Sequence, residues 1–174
     1  NKKWLECTAE AKKNIKKFKE IEPWILSSWA RCASALAGKF ESPKPIYEIL
    51  THAGQHQIDL FTGPWSKPLL TDICRLRIQA VELDWKTNAN AAWKQLEEIF
   101  KISNLVDKDM MAKANCLGGE ISQSKGLLKS AKTLFEQALS MNETKGCRDR
   151  LNSVLLALNE KNQERNHGKN LLYF

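Results

Sequence analysis

Proline is missing after residue 68; the five prolines sit at 23, 43, 45, 64 and 68. A stretch that long without proline leaves helices free to run. No segment alternates apolar and polar residues with period two over strand length, so no sheet is expected. No apolar run reaches the roughly 18 residues that a membrane helix needs. There is no Cys-x-x-Cys pair among the five cysteines, Cys7, Cys32, Cys74, Cys116 and Cys147. An odd count without metal-ligand spacing points to free or buried thiols in a reducing compartment, and a cytoplasmic location is expected. Gly-x-Ser-x-Gly, His-Glu-x-x-His, a phosphate-binding loop and a dinucleotide-binding glycine pattern are all missing. No cysteine has a base near it in the pattern, so no nucleophile is expected. The chain therefore reads as a non-enzyme with no cofactor and no metal.

The nearest thing to a metal cluster is His52, His56 and Asp59. Gly54 interrupts it and a second ligand group is lacking, so these read as surface or hydrogen-bonded side chains. Glu97/Glu98 and Asp107/Asp109 read as helix-surface and cap residues. The glycosylation sequon Asn142-Glu143-Thr144 matters only in a secreted protein and is discounted, no signal peptide being visible. A start at Asn1 rather than Met is compatible with a piece of a longer protein.

What is present is ordinary globular material. Apolar residues make up 43% and charged residues 27% of 174, enough for one domain with a core or a short stack of helices. The formal charge is +7, and residues 1–20 hold seven lysines against three glutamates. Such a cluster reads first as a solvated helix face and second as a nucleic-acid patch. Trp4, Ala11 and Phe18 recur every seven residues with Leu5 and Ile15 beside them, so Trp4 and Phe18 are expected on the packed side.

The periodicity predicts helices over 3–21, from Pro23 to a stop at Gly38, and from Ser42-Pro43 through Ile46, Ile49 and Leu50. Residues 54–68 read as an irregular linker, because Gly54, Gly63, Pro64 and Pro68 break a long helix. Further helices are predicted over 69–86, after a cap at Asn90, after a cap at Asp107, over 127–141 and over 145–163. Residues 165–174 read as a tail ending in the apolar Leu171-Leu172-Tyr173-Phe174. The whole chain, 1–174, is read as a single domain with 1–53 as N-terminal helices and 69–164 as two hairpins plus a capping helix.

From Leu117 to Leu139 the sequence resembles a tetratricopeptide repeat. It has Gly119 in a first helix, Gly126 in the turn, then Ala131, Phe135 and Ala138 spaced as Ala-x3-Phe-x2-Ala. A weaker copy sets Ala80, Ala92, Leu96 and Ile99 in the corresponding places, and a poorer one runs from Trp29 and Ala33 to Ile49. The physical logic is that two helices approach closely only where side chains are small. The copies depart from the family in spacing, and Glu143 stands where a proline is usual. The resemblance implies an all-α fold of about 8–9 helices, antiparallel hairpins stacked as a right-handed superhelix.

It also implies a concave groove lined by the first helix of each hairpin. Groove positions then fall on Arg77, Val81, Asp84 and Trp85, and on Lys113, Cys116, Glu120 and Gln123. Arg77 and Trp85 form an expected anchor pair. The function so implied is a protein-interaction scaffold or adaptor that binds a peptide or helix of another protein. Nucleic-acid binding by the lysine-rich first helix is the alternative, and a regulatory or sensor part of a larger protein is a third. The oligomeric state stays open.

Overall fold

The computed structural model describes residues 2–17, 23–55 and 66–170. Among them lie eight α-helices, one short 3-10 turn and no strand. The helices are α1 (Lys2–Lys17), α2 (Pro23–Phe40), α3 (Lys44–Gln55), α4 (Ser66–Asp84), α5 (Ala89–Phe100), α6 (Lys108–Ser124), α7 (Leu128–Met141) and α8 (Lys145–Asn170). No helix among the described residues is long and apolar enough to cross a membrane. The chain forms two compact units, Asn1–Val106 and Asp107–Phe174.

In the first unit α2 packs against α1, α3 and α4, and α4 also packs against α3 and α5. Trp29, Leu26, Ile46, Ile49 and Leu76 are wholly or almost wholly buried, with Ala33, Ala37 and Ala80 filling the crossings between them. Each large side chain contributes roughly 1.5–3 kcal/mol by leaving water. Polar pairs pin α2 to α4. Ser34 Oγ donates to Gln79 Oε1 at 2.7 Å, and Gln79 Nε2 donates back to the Ser34 carbonyl at 3.1 Å. Ser27 donates to Asp72, whose carboxylate also lies 3.8 Å from Arg31.

The helix ends explain where the expected boundaries move. α2 does not stop at Gly38 but runs to Phe40, and Glu41 turns the chain with φ +48°. The Ser42 N–H then reaches the Ala37 carbonyl at 3.1 Å, which is a helix-closing bond normally made with glycine at the turning position. Glu41→Gly removes the left-handed penalty, and we expect it to stabilise the first unit by about 1 kcal/mol in denaturant titration. α4 begins at Ser66, because a proline is tolerated in a helix's first turn and Pro68 lies there. Asn88, not Asn90, caps α5: its side chain accepts the Ala91 N–H at 3.2 Å. Asp107 caps α6 as expected, accepting the Met110 N–H at 2.9 Å. The final helix extends to Asn170, past the expected end at 163. Most of the expected 54–68 linker and residues 171–174 lie outside the described residues.

The second unit is an α6–α7 hairpin with α8 against both helices. Gly126 makes the turn at φ +72°. The Gly126 and Leu127 N–H groups close α6 onto the Gln123 and Ser122 carbonyls, each at 2.9 Å. Gly119 faces the Phe135 ring so closely that an added Cβ would lie 2.5 Å from Cε1. Ala131, Phe135 and Ala138 are completely buried with Val154 of α8. Ala80, Ala92, Leu96 and Ile99 are equally buried in the first unit. The small residues thus lie at helix contacts, as the spacing predicted.

Two expectations about α1 also fail. Cys7 and Cys32 are joined in a disulfide between α1 and α2, Cα–Cα 6.5 Å, so the reading of all five cysteines as free thiols is corrected. Trp4 is 43% exposed and Leu5 55%, so Trp4 is not a core residue. The seven-residue stripe of α1 is packed at Ala11 and uncovered one heptad earlier. Phe18 lies outside the described residues.

Candidate partner-binding cleft

The first unit has a cleft of about 490 Å³ where α3, α4 and α5 meet. On α3, Ile46, Ile49 and Leu50 turn into the core, which leaves Tyr47 and Thr51 on the rim. On α4, Arg77 stands between buried Leu76 and Ile78 and is itself only 7% exposed. α5 supplies its cap Asn88, then Ala91, Lys94 and Gln95.

Arg77 Nη1 donates to Gln95 Oε1 at 2.6 Å. Burial lowers the Arg77 pKa from its usual value, and the nearby Glu98 carboxylate works against that shift. Tyr47 donates its hydroxyl to Asp84 Oδ2 at 2.8 Å. Burial first, then this hydrogen bond and the Asp84 charge, push the phenol well above its normal range, so Tyr47 stays a donor at any ordinary pH. The lining holds a cation at the floor, Arg77, and another at the exposed rim, Lys94, with no carboxylate among the lining residues. Leu50 and Ala91 add apolar wall. A second depression of about 380 Å³ between α2 and α4 includes Arg31 and Arg75, but Asp72 lies 3.8 Å from each and offsets their charge.

The expected groove residues fare unequally. Arg77 lines the cleft. Val81 is wholly buried and offers no surface to a partner. Its place among the groove positions is corrected, because α4 has neighbours on several sides and its valine faces inward. Asp84 is half-buried and accepts bonds from Tyr47 and from Thr87 Oγ1, the latter at 3.0 Å. Trp85 is half-buried with Lys86 Nζ 5.8 Å from its ring centre, while Arg77 is bonded to Gln95.

Lys113 is exposed and Gln123 half-buried on α6. Glu120 pairs with Arg150 of α8 at 2.9 Å, and Cys116 packs toward Cys147 of α8. Both are engaged within their own unit. His52 has no described side chain, and His56 and Asp59 lie outside the described residues. Tyr47, Lys94 and Gln95 were missed by sequence reasoning. The available signal was Arg77 itself, a charge inside an otherwise apolar stripe that needs a polar companion from another helix.

The fold defines the class: an all-helical protein whose successive helices pack as neighbouring pairs. No protein-family model matches the chain, and neither a curated protein nor a solved structure matches it.

Proposed function

We propose that the chain is a non-enzymatic interaction scaffold. It holds a peptide or helix of a partner protein, and its hairpins stack in the manner of tetratricopeptide repeats. The observation that carries this reading is the α3–α4–α5 cleft, whose lining combines an arginine held by Gln95, a rim lysine and a short apolar wall. Such a surface suits a segment that offers acceptors and a little apolar bulk. The small residues that let the helices touch support the hairpin architecture.

Panning a random peptide library on the purified chain tests this. Substituting Arg77 would disturb a buried hydrogen bond, so the variant is Lys94→Glu, with Lys39→Glu as the control. Lys94→Glu is expected to weaken the selected peptides about tenfold, a loss of roughly 1.4 kcal/mol. Peptides that bind both charge variants and wild type alike would refute the cleft as the site.

A second reading gains from the exposure of Trp4. A tryptophan standing beside Lys3 in a lysine-rich helix is an arrangement that stacks on bases and holds phosphates. The same protein is therefore titrated with a single-stranded oligonucleotide at several salt concentrations. An affinity that falls with slope about −0.7 per phosphate contacted, and that is lost in Trp4→Ala, would favour α1 over the cleft.

A further inference from the structure

We infer that Cys116 and Cys147 are an oxidisable dithiol, the site of a second disulfide that ties α6 to the first turn of α8. Both thiols are free, and they come from positions 31 apart in sequence (147 minus 116). Each thiol perturbs the titration of the other across the α6–α8 contact. Cys116 and Cys147 belong to the same apolar cluster, built on Phe135 and Val154.

The register of the two helices is held by a neighbouring contact. Glu120, one turn beyond Cys116, meets Arg150, one turn beyond Cys147, at 2.9 Å. Both chains advance in the same direction along this seam, so the ion pair keeps the thiols opposed. The third helix presents the Phe135 carbonyl, 3.8 Å from Cys147 Sγ.

The two sulfurs differ in access. Cys116 is half-buried and open to a small reagent, whereas Cys147 is 1% exposed. With a small disulfide such as oxidised glutathione as oxidant, the Cys116 thiolate attacks one glutathione sulfur. The first glutathione thiolate leaves and takes up the proton that Cys116 lost. The Cys147 thiolate then attacks Cys116 Sγ, the glutathione bond breaks, and the second glutathione leaves with the Cys147 proton. Two protein thiols are oxidised and one glutathione disulfide is reduced to two thiols.

Burial, the Cys147 contact and Glu120 push the Cys116 thiol up to about 12, against the opposing pull of Arg150. Burial likewise raises Cys147, with Glu120 adding to the rise while the Cys116 contact and Arg150 oppose it. Both therefore stay protonated near neutrality, and the cross-link is slow to form there. Because the thiolate is the nucleophile, its rate climbs about tenfold per pH unit between roughly pH 7 and 9.

The experiment uses the full chain with Cys7–Cys32 closed. It is treated with oxidised glutathione at several pH values, trapped with a maleimide, digested without reduction and analysed by mass spectrometry. Expected are a linked peptide pair containing Cys116 and Cys147, and the loss of two hydrogens from the intact mass. In Cys147→Ser the reaction is expected to stop at a glutathione adduct on Cys116. In Cys116→Ser, Cys147 is expected to stay unmodified. A lasting glutathione adduct on wild-type Cys116 without the linked pair, or two untouched thiols after treatment near pH 9, would overturn the proposal.

Discussion

Phe135→Ala is expected to destabilise the second unit by about 3–5 kcal/mol, the usual cost of emptying a fully buried aromatic site. The ring is 0% exposed and fills the space between Gly119 on its own hairpin and Val154 of α8. The sharper expectation concerns Gly119. In the wild type, Gly119→Ala improves helix propensity by about 1 kcal/mol. Its Cβ would nevertheless meet the Phe135 ring at 2.5 Å, and the ring is enclosed and cannot swing aside. Overpacking of this kind costs roughly 1–3 kcal/mol, so the single variant should be destabilised. Once the ring is gone the same methyl enters free space, and Gly119→Ala should then stabilise by about 1 kcal/mol. The reversal is read by amide exchange of α6 and α7 in the four proteins of the cycle. Additive effects would mean that Gly119 and Phe135 do not share a contact.

That pair was legible in the sequence because the relation is local. Sixteen residues separate Gly119 from Phe135 (135 minus 119), and one tight turn at Gly126 brings them together. Small opposite large at fixed spacing in a hairpin is a constraint that short-range pattern can carry. Other features needed knowledge of more distant neighbours. The repeat pattern assigns Val81 to the groove, which requires an open face on α4. α4 in fact touches α2, α3 and α5, and Cys74, Leu76, Ile78, Ala80 and Val81 are all buried on it. A helix surrounded in this way has few positions left for a partner, and periodicity does not say which.

The cleft was half legible for a related reason. Arg77 was singled out, but its companions Tyr47 and Gln95 lie 30 residues before it (77 minus 47) and 18 after it (95 minus 77) on other helices. Only the fold sets them beside it. Trp4 illustrates the limit from the other side. Its seven-residue relation to Ala11 placed it correctly on one stripe of α1, yet a stripe does not reveal how far the neighbouring helix extends to cover it.

Opening the Cys7–Cys32 disulfide should loosen α1 far more than the rest of the first unit. Among the described side chains of α1 only Ala11 is buried, while Trp4 and Leu5 are exposed. One alanine contributes little apolar area, so the cross-link supplies most of the hold on α2 that these residues show. The bond closes a separation of 25 residues, and restricting the unfolded chain over such a loop is worth about 3 kcal/mol. Reduction, or the Cys7→Ser/Cys32→Ser double substitution, should therefore speed amide exchange in α1 about a hundredfold, since 1.4 kcal/mol is a factor of ten.

Tryptophan emission offers the control. All six tryptophans lie in the first unit, and Trp29, wholly buried within α2, reports its core. Emission from Trp29 should stay that of a buried ring while α1 exchanges freely, because α2, α3 and α4 supply every residue of its buried cluster except Ala11. A red shift that accompanies α1 exchange would show instead that the first helix is part of the cooperative core. In that case the lysine-rich face is held rigidly in place. If α1 comes loose alone, its lysines and Trp4 become a tethered arm whose release is set by the redox state of one bond, and any oligonucleotide affinity it carries should change when that bond is opened.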